Sequence, residues 1–118
     1  MIARSLSELM KLKGSVTQLI LSGSADLVCN NLFCEKVTKP CLCRLERVLE
    51  VAKPVNVEVV DLSNNGLDAL PPSVTRLPRL RLLDLRNNAF LKAPKELESL
   101  GHVQVLIDVI IPQGRMHE

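Results

Sequence analysis

Val57-Glu58-Val59-Val60-Asp61-Leu62-Ser63-Asn64-Asn65-Gly66-Leu67 returns 23 residues later as Leu80-Arg81-Leu82-Leu83-Asp84-Leu85-Arg86-Asn87-Asn88-Ala89-Phe90. The phase continues through Leu70/Ala93, Pro71/Pro94, Val74/Leu97 and Leu77/Leu100. Self-similarity at such a period marks a repeat architecture, in which each unit hides its apolar face against the next. Val60 and Leu62 alternate along one side of the chain, as Leu83 and Leu85 do, which is the period-two pattern of a short strand. Asn65 and Asn88 stand where the chain leaves that strand. A side-chain amide both donates and accepts, so stacked copies can satisfy backbone groups that the bend would orphan. Leu67 and Phe90 then turn back inside, Pro71 and Pro94 begin a return arm, and Val74/Leu97 with Leu77/Leu100 close it.

The two copies resemble the leucine-rich repeat family, whose consensus is L-x-x-L-x-L-x-x-N-x-L. The tail Leu70-Pro71-Pro72-Ser73-Val74-Thr75-Arg76-Leu77 resembles the short intracellular type that ends L-P-x-x-Φ-x-x-L, with Φ apolar. Ala93 in place of a leucine is a departure from that pattern. The resemblance covers residues 55–108 and implies an α/β solenoid: a short arc with a parallel sheet of about four short strands. It also implies a non-catalytic binding scaffold rather than an enzyme.

The 118 residues suit one domain with a modest core, and that core is built from Leu and Val, because the chain has no Trp or Tyr and only two Phe. So few units sit near the minimum of about three repeats that a solenoid needs to stand alone. The formal net charge of +2, with both signs mixed along the chain, is no footprint for nucleic acid, which calls for a basic stripe and stacking aromatics. No apolar run reaches transmembrane length, and Met1-Ile2-Ala3-Arg4 opens no secretory signal. The expected location is intracellular, the cytoplasm being favoured over a mitochondrial alternative raised by Arg4, Lys11 and Lys13 on an apolar, serine-containing helix.

Ser5-Leu6-Ser7-Glu8 fits a capping box, and Leu6, Leu9, Met10 and Leu12 form an apolar stripe before Gly14. The pattern predicts a capping helix over 6–13 within an amino-terminal cap of residues 1–14. Val16, Leu19 and Leu21 repeat the strand pattern, with Ser24 where asparagine is expected. The next copy starts 41 rather than 23 residues later, so this first, irregular repeat over 15–55 carries an 18-residue insertion. Much of the insertion reads as a helix after Pro40, with Leu42, Leu45, Leu49 and Ala52 on one face, Arg44, Arg47, Glu50 and Lys53 on the other, and Pro54 as its end. Two regular repeats over 56–101 and a terminal strand with a tail over 102–118 complete the single domain.

Cys29, Cys34, Cys41 and Cys43 lie within 15 residues, spaced C-x4-C-x6-C-x-C. Paired C-x2-C knuckles are absent, so a zinc site is the weaker reading. A disulfide or redox pair is a further one, and small reduced cysteines packing a loop are preferred. A cysteine-based metal or redox module on the repeat scaffold is therefore the alternative function. No cofactor motif occurs, and the neighbouring carboxylates Asp61 and Asp84 read as a solvated face rather than an acid–base pair.

On the open face of the sheet the repeats set Glu58, Val59 and Asp61 beside Arg81, Leu82, Asp84 and Arg86 as candidate protein-binding residues. Held to strict phase, they predict an apolar column Val59-Leu82-Val105 and a second column Ile20-Asp61-Asp84-Ile107. A second candidate surface is the terminal strand with Val103, Val105, Ile107, Val109 and Ile111, which is apolar on both faces and has no further repeat behind it. Natural proteins cover such an edge, so a protein partner, a second copy, or the tail Pro112–Glu118 is expected over it.

Overall fold

The computed structural model describes residues 1–24, 27 and 42–109. It contains a five-stranded, all-parallel sheet whose strands lie side by side in chain order. They are β1 (Ile2–Ala3), β2 (Gln18–Ile20), β3 (Val59–Asp61), β4 (Leu82–Leu85) and β5 (Gln104–Ile107). The expectation of about four strands omitted β1, whose two residues pair with Gln18 and Leu19. Two residues carry no readable periodicity.

The amino-terminal helix α1 spans Leu6–Leu12. Ser5 Oγ accepts from Glu8 N at 3.1 Å, as a capping box requires, but Glu8 Oε1 accepts from Arg4 N at 2.7 Å, one residue outside the cap. Leu6 and Leu9 are fully buried. The chain leaves α1 through Lys13, at φ 41° and ψ −113°, rather than through Gly14. A lysine in a region that favours glycine carries backbone strain.

Helix α2 covers Cys43–Ala52 and seats Leu45, Leu49 and Ala52 on the core, while Arg44, Arg47 and Glu50 face solvent. Lys53 ends it in the left-handed region at φ 46°, just before Pro54. Pro71 and Pro94 stand at the caps of the return arms, a single helical turn α3 (Pro72–Thr75) and a 3-10 turn over Lys95–Ser99. The second arm packs more loosely, since Leu70 is buried and Ala93 is exposed. Leu19, Val60, Leu83 and Leu62, Leu85 form the inward rows of the sheet, and Phe90 fills the core beside them at 0% exposure.

Asparagine joins the units. Asn65 Nδ2 donates to Leu21 O, Leu62 O and Ser63 O, and its Oδ1 accepts from Ser24 N. Asn88 Nδ2 donates to Leu62 O, Leu85 O and Arg86 O, and its Oδ1 accepts from both Asn65 N and Leu67 N at 3.0 Å. Each amide thus spans two successive units. The preceding residue in each turn, Gly23, Asn64 or Asn87, has φ between 57° and 59°, so one turn geometry recurs three times.

Register brings a correction. β3 and β4 pair Val59 with Leu82 and Asp61 with Asp84, a step of 23, but β4 and β5 pair Leu82 with Gln104 and Leu85 with Ile107, a step of 22. The cause is one missing residue. In the regular units one carbonyl accepts two successive N–H groups: Thr17 O from Glu58 and Val59, and Glu58 O from Arg81 and Leu82. Among the described residues Arg81 O accepts a single such N–H, Gln104 N at 2.9 Å, while Val103 N turns to Leu100 O. Val103-Gln104-Val105 therefore alternates directly, where Leu80 and Leu83 have two residues between them.

Candidate functional site

The outward face of the sheet carries two rows: Gln18-Val59-Leu82-Gln104, and Ile20-Asp61-Asp84-Leu106. The expected Val105 and Ile107 leave these rows, since the shortened step turns both inward, where they join Val103 against the core. Strict 23-residue phase with Leu85 would set Asp108 inward, but it is exposed, and its Oδ2 accepts from Asn87 N at 3.2 Å. Val59 and Leu82 stay half-exposed in the middle of the face.

Charged residues flank that apolar centre and are held in place. Arg81 Nε donates to Glu58 Oε1 at 2.9 Å across neighbouring strands. Arg86 grips Asp84 with two contacts, Nε to Oδ1 at 3.0 Å and a terminal guanidinium nitrogen to Oδ2 at 2.9 Å. Arg86 N also donates to Asp84 Oδ1 at 3.1 Å. Asp61 Oδ1 accepts from Ser63 N and Ser63 Oγ, and Ser63 Oγ lies 3.0 Å from Ser22 Oγ. Each acid folds back on the residue two positions ahead, an arrangement that short acidic side chains favour at a strand end.

Asp84 is 9% exposed, so the expectation of a solvated face does not hold for it. The Arg86 guanidinium holds its carboxyl below the usual carboxylate range, against the opposing effect of burial. Asp84 in turn holds the Arg86 proton more firmly, with Asp108 and Asp61 adding to the effect. A general acid needs its pKa raised toward neutrality. Asp84 is displaced the other way, and the second carboxylate, Asp61, is occupied by Ser63. The geometry suits a fixed pattern of charge around an apolar centre.

The terminal-edge residues divide by depth. Val103, Val105 and Ile107 are half-buried and Val109 is 39% exposed, whereas Ile111 lies outside the described residues. Of the cysteine cluster, Cys29, Cys34 and Cys41 lie outside them as well, and Cys43 is an exposed residue opening α2. Among the described residues no group of three or more His, Cys, Asp or Glu could hold a metal ion. No helix among them is long and apolar enough to cross a membrane.

Sequence reading missed a cleft of about 420 Å³ between the end of α2 and α3, lined by Leu49, Lys53, Val55, Ser73, Arg76 and Leu77. The return-arm pattern marks Leu49 and Leu77 only as core, and no periodicity signals the gap between two arms of unequal length. No protein-family profile matches the chain, and neither does any curated protein.

Proposed function

We propose that the chain is a small leucine-rich-repeat-like solenoid acting as a non-catalytic protein-binding module, an adaptor or accessory subunit of a larger intracellular assembly. The observation that carries this reading is the outward sheet face, with Val59 and Leu82 half-exposed between the Glu58–Arg81 pair and the Asp84–Arg86 pair. An apolar centre ringed by fixed charges is the anatomy of a protein interface. Side chains already held by hydrogen bonds lose little entropy when a partner docks, so pre-organisation favours affinity. The repeating Asn65 and Asn88 contacts support the solenoid part of the reading, since they make each unit the template for the next.

The test compares what the wild-type protein and two variants retain from native extracts. Val59→Glu with Leu82→Glu is expected to lose the retained partner, while Val51→Glu, on an exposed site of α2, keeps it. Identical retention by all three proteins would refute the sheet face as the binding surface.

A further inference from the structure

The outer edge of β5 is distinct from the sheet face. In a parallel pair, alternate residues bond the neighbouring strand. Gln104 N donates to Arg81 O at 2.9 Å, so Gln104 and Leu106 turn their backbone groups to β4, while Val105 and Ile107 turn theirs away from it. No described residue pairs with that side. The opposite edge of the sheet is blunted differently, since β1 has only two residues.

We infer that this edge pairs with β5 of a second copy, antiparallel about a two-fold axis through Val105. Three features fit that occupant. First, the alternation is self-complementary: with Val105 opposite Val105 of the other copy, each donates to the other's carbonyl, and Ile107 N of each meets Val103 O of the other. Val103 N is already used on Leu100 O at 2.9 Å, so the pairing makes four backbone hydrogen bonds.

Second, this register joins the inward rows of the two sheets. Val105 and its inward neighbours Val103 and Ile107 are only half-buried, whereas Val60 and Leu83 in the interior strands are fully buried. The second copy supplies the missing neighbour for each of them, Val103 against Ile107 and Val105 against Val105. Third, residues 103–107 bear no charge, and the two-fold axis sends Asp108 of each copy to the end where the other presents His102. No like charges are opposed, as side-by-side parallel pairing of Asp108 with Asp108 would do.

A contact through one four-residue strand of each copy is expected to bury less than the roughly 1,200 Å² of standard complexes, so association in the micromolar range is expected. A two-fold contact closes on itself and stops at two copies rather than growing into a fibre.

The test is the mass in solution by sedimentation equilibrium between about 5 and 500 μM, scaled to the association expected. Wild-type protein is expected to move from 13.1 kDa toward twice that mass across the range. Val105→Pro removes one outward N–H that β4 does not use, so the fold is expected to persist by circular dichroism while the dimer is lost. His102→Asp sets acid against acid at both ends and is expected to weaken the dimer several-fold at low salt, less so at high salt.

A wild-type chain that stays at 13.1 kDa throughout overturns the inference, as does a Val105→Pro variant that is folded and still dimeric. The inference rests only in part on the protein-binding reading. A monomer that still loses its partner through Val59→Glu and Leu82→Glu would defeat the dimer and leave the sheet face standing.

Discussion

Asn65 is the more buried of the two ladder asparagines, at 8% exposure, yet replacing Asn88 should cost more. Asn65→Ala removes four hydrogen bonds, but each partner keeps another. Leu21 O retains Ser24 N, Ser63 O retains Gly23 N, Leu62 O retains the Asn88 amide, and Ser24 N retains Leu21 O. The loss is then about 1–2 kcal/mol, the net worth of shared bonds. Asn88→Ala instead strips the acceptor from Asn65 N and Leu67 N, two backbone donors on residues 8% and 2% exposed. Each orphaned buried N–H costs about 1–3 kcal/mol, so the two together should cost the variant about 2–6 kcal/mol. That is a large share of the roughly 5–15 kcal/mol that holds a domain together. With no Trp or Tyr in the chain, far-ultraviolet circular dichroism in urea is the suitable readout. Hydrogen exchange at Asn65 and Leu67 should lose protection in Asn88→Ala and keep most of it in Asn65→Ala. Equal or reversed costs, or unchanged protection of those two amides, would refute the ladder as described.

Asp84→Asn should lower stability at neutral pH by about 1 kcal/mol, because it removes a charge-assisted contact to a half-exposed arginine. The carboxyl's pKa is depressed in the fold, so its contribution is present above the ordinary value of 3.8 and fades as pH falls below it through the lower native value. The gap between variant and wild type should therefore close in acid, and a gap that widens there would contradict the assignment. Lys13→Gly relieves a backbone at φ 41° and should stabilise the protein by about 0.5–1 kcal/mol, read as a raised urea midpoint with an unchanged slope. A destabilised Lys13→Gly variant would show that the lysine conformation carries no strain.

The repeats were legible because burial, turn chemistry and period agree along most of the stretch between Val57 and Leu100, with exposed Ala93 opposite buried Leu70 as the main exception. Asn65 and Asn88 announce their role by recurring where an amide is needed, and the Leu45, Leu49 and Ala52 stripe announces α2. The last strand was legible in kind but not in phase. Strict 23-residue spacing sets Val105 and Ile107 outward, although Val103, Val105 and Ile107 alternate among themselves. That local alternation was the signal, and one deleted residue in the doubled N–H step explains why the periodic reading missed it. The hold of Arg86 on Asp84 was not legible, because recurrence of aspartate at 61 and 84 looks alike in the sequence. Ser63 and Arg86, two residues ahead, decide how each acid is occupied.

The proposed function requires the apolar centre of the sheet face to meet another protein. The most direct measurement places a photo-crosslinking residue at position 82 and, in a parallel sample, at position 51, followed by irradiation in native material. Both positions lie on the surface, Leu82 half-exposed on the sheet and Val51 59% exposed on α2. A discrete protein adduct is expected from position 82 and none from position 51. Equal labelling at the two sites, or adducts from position 51 alone, would contradict it.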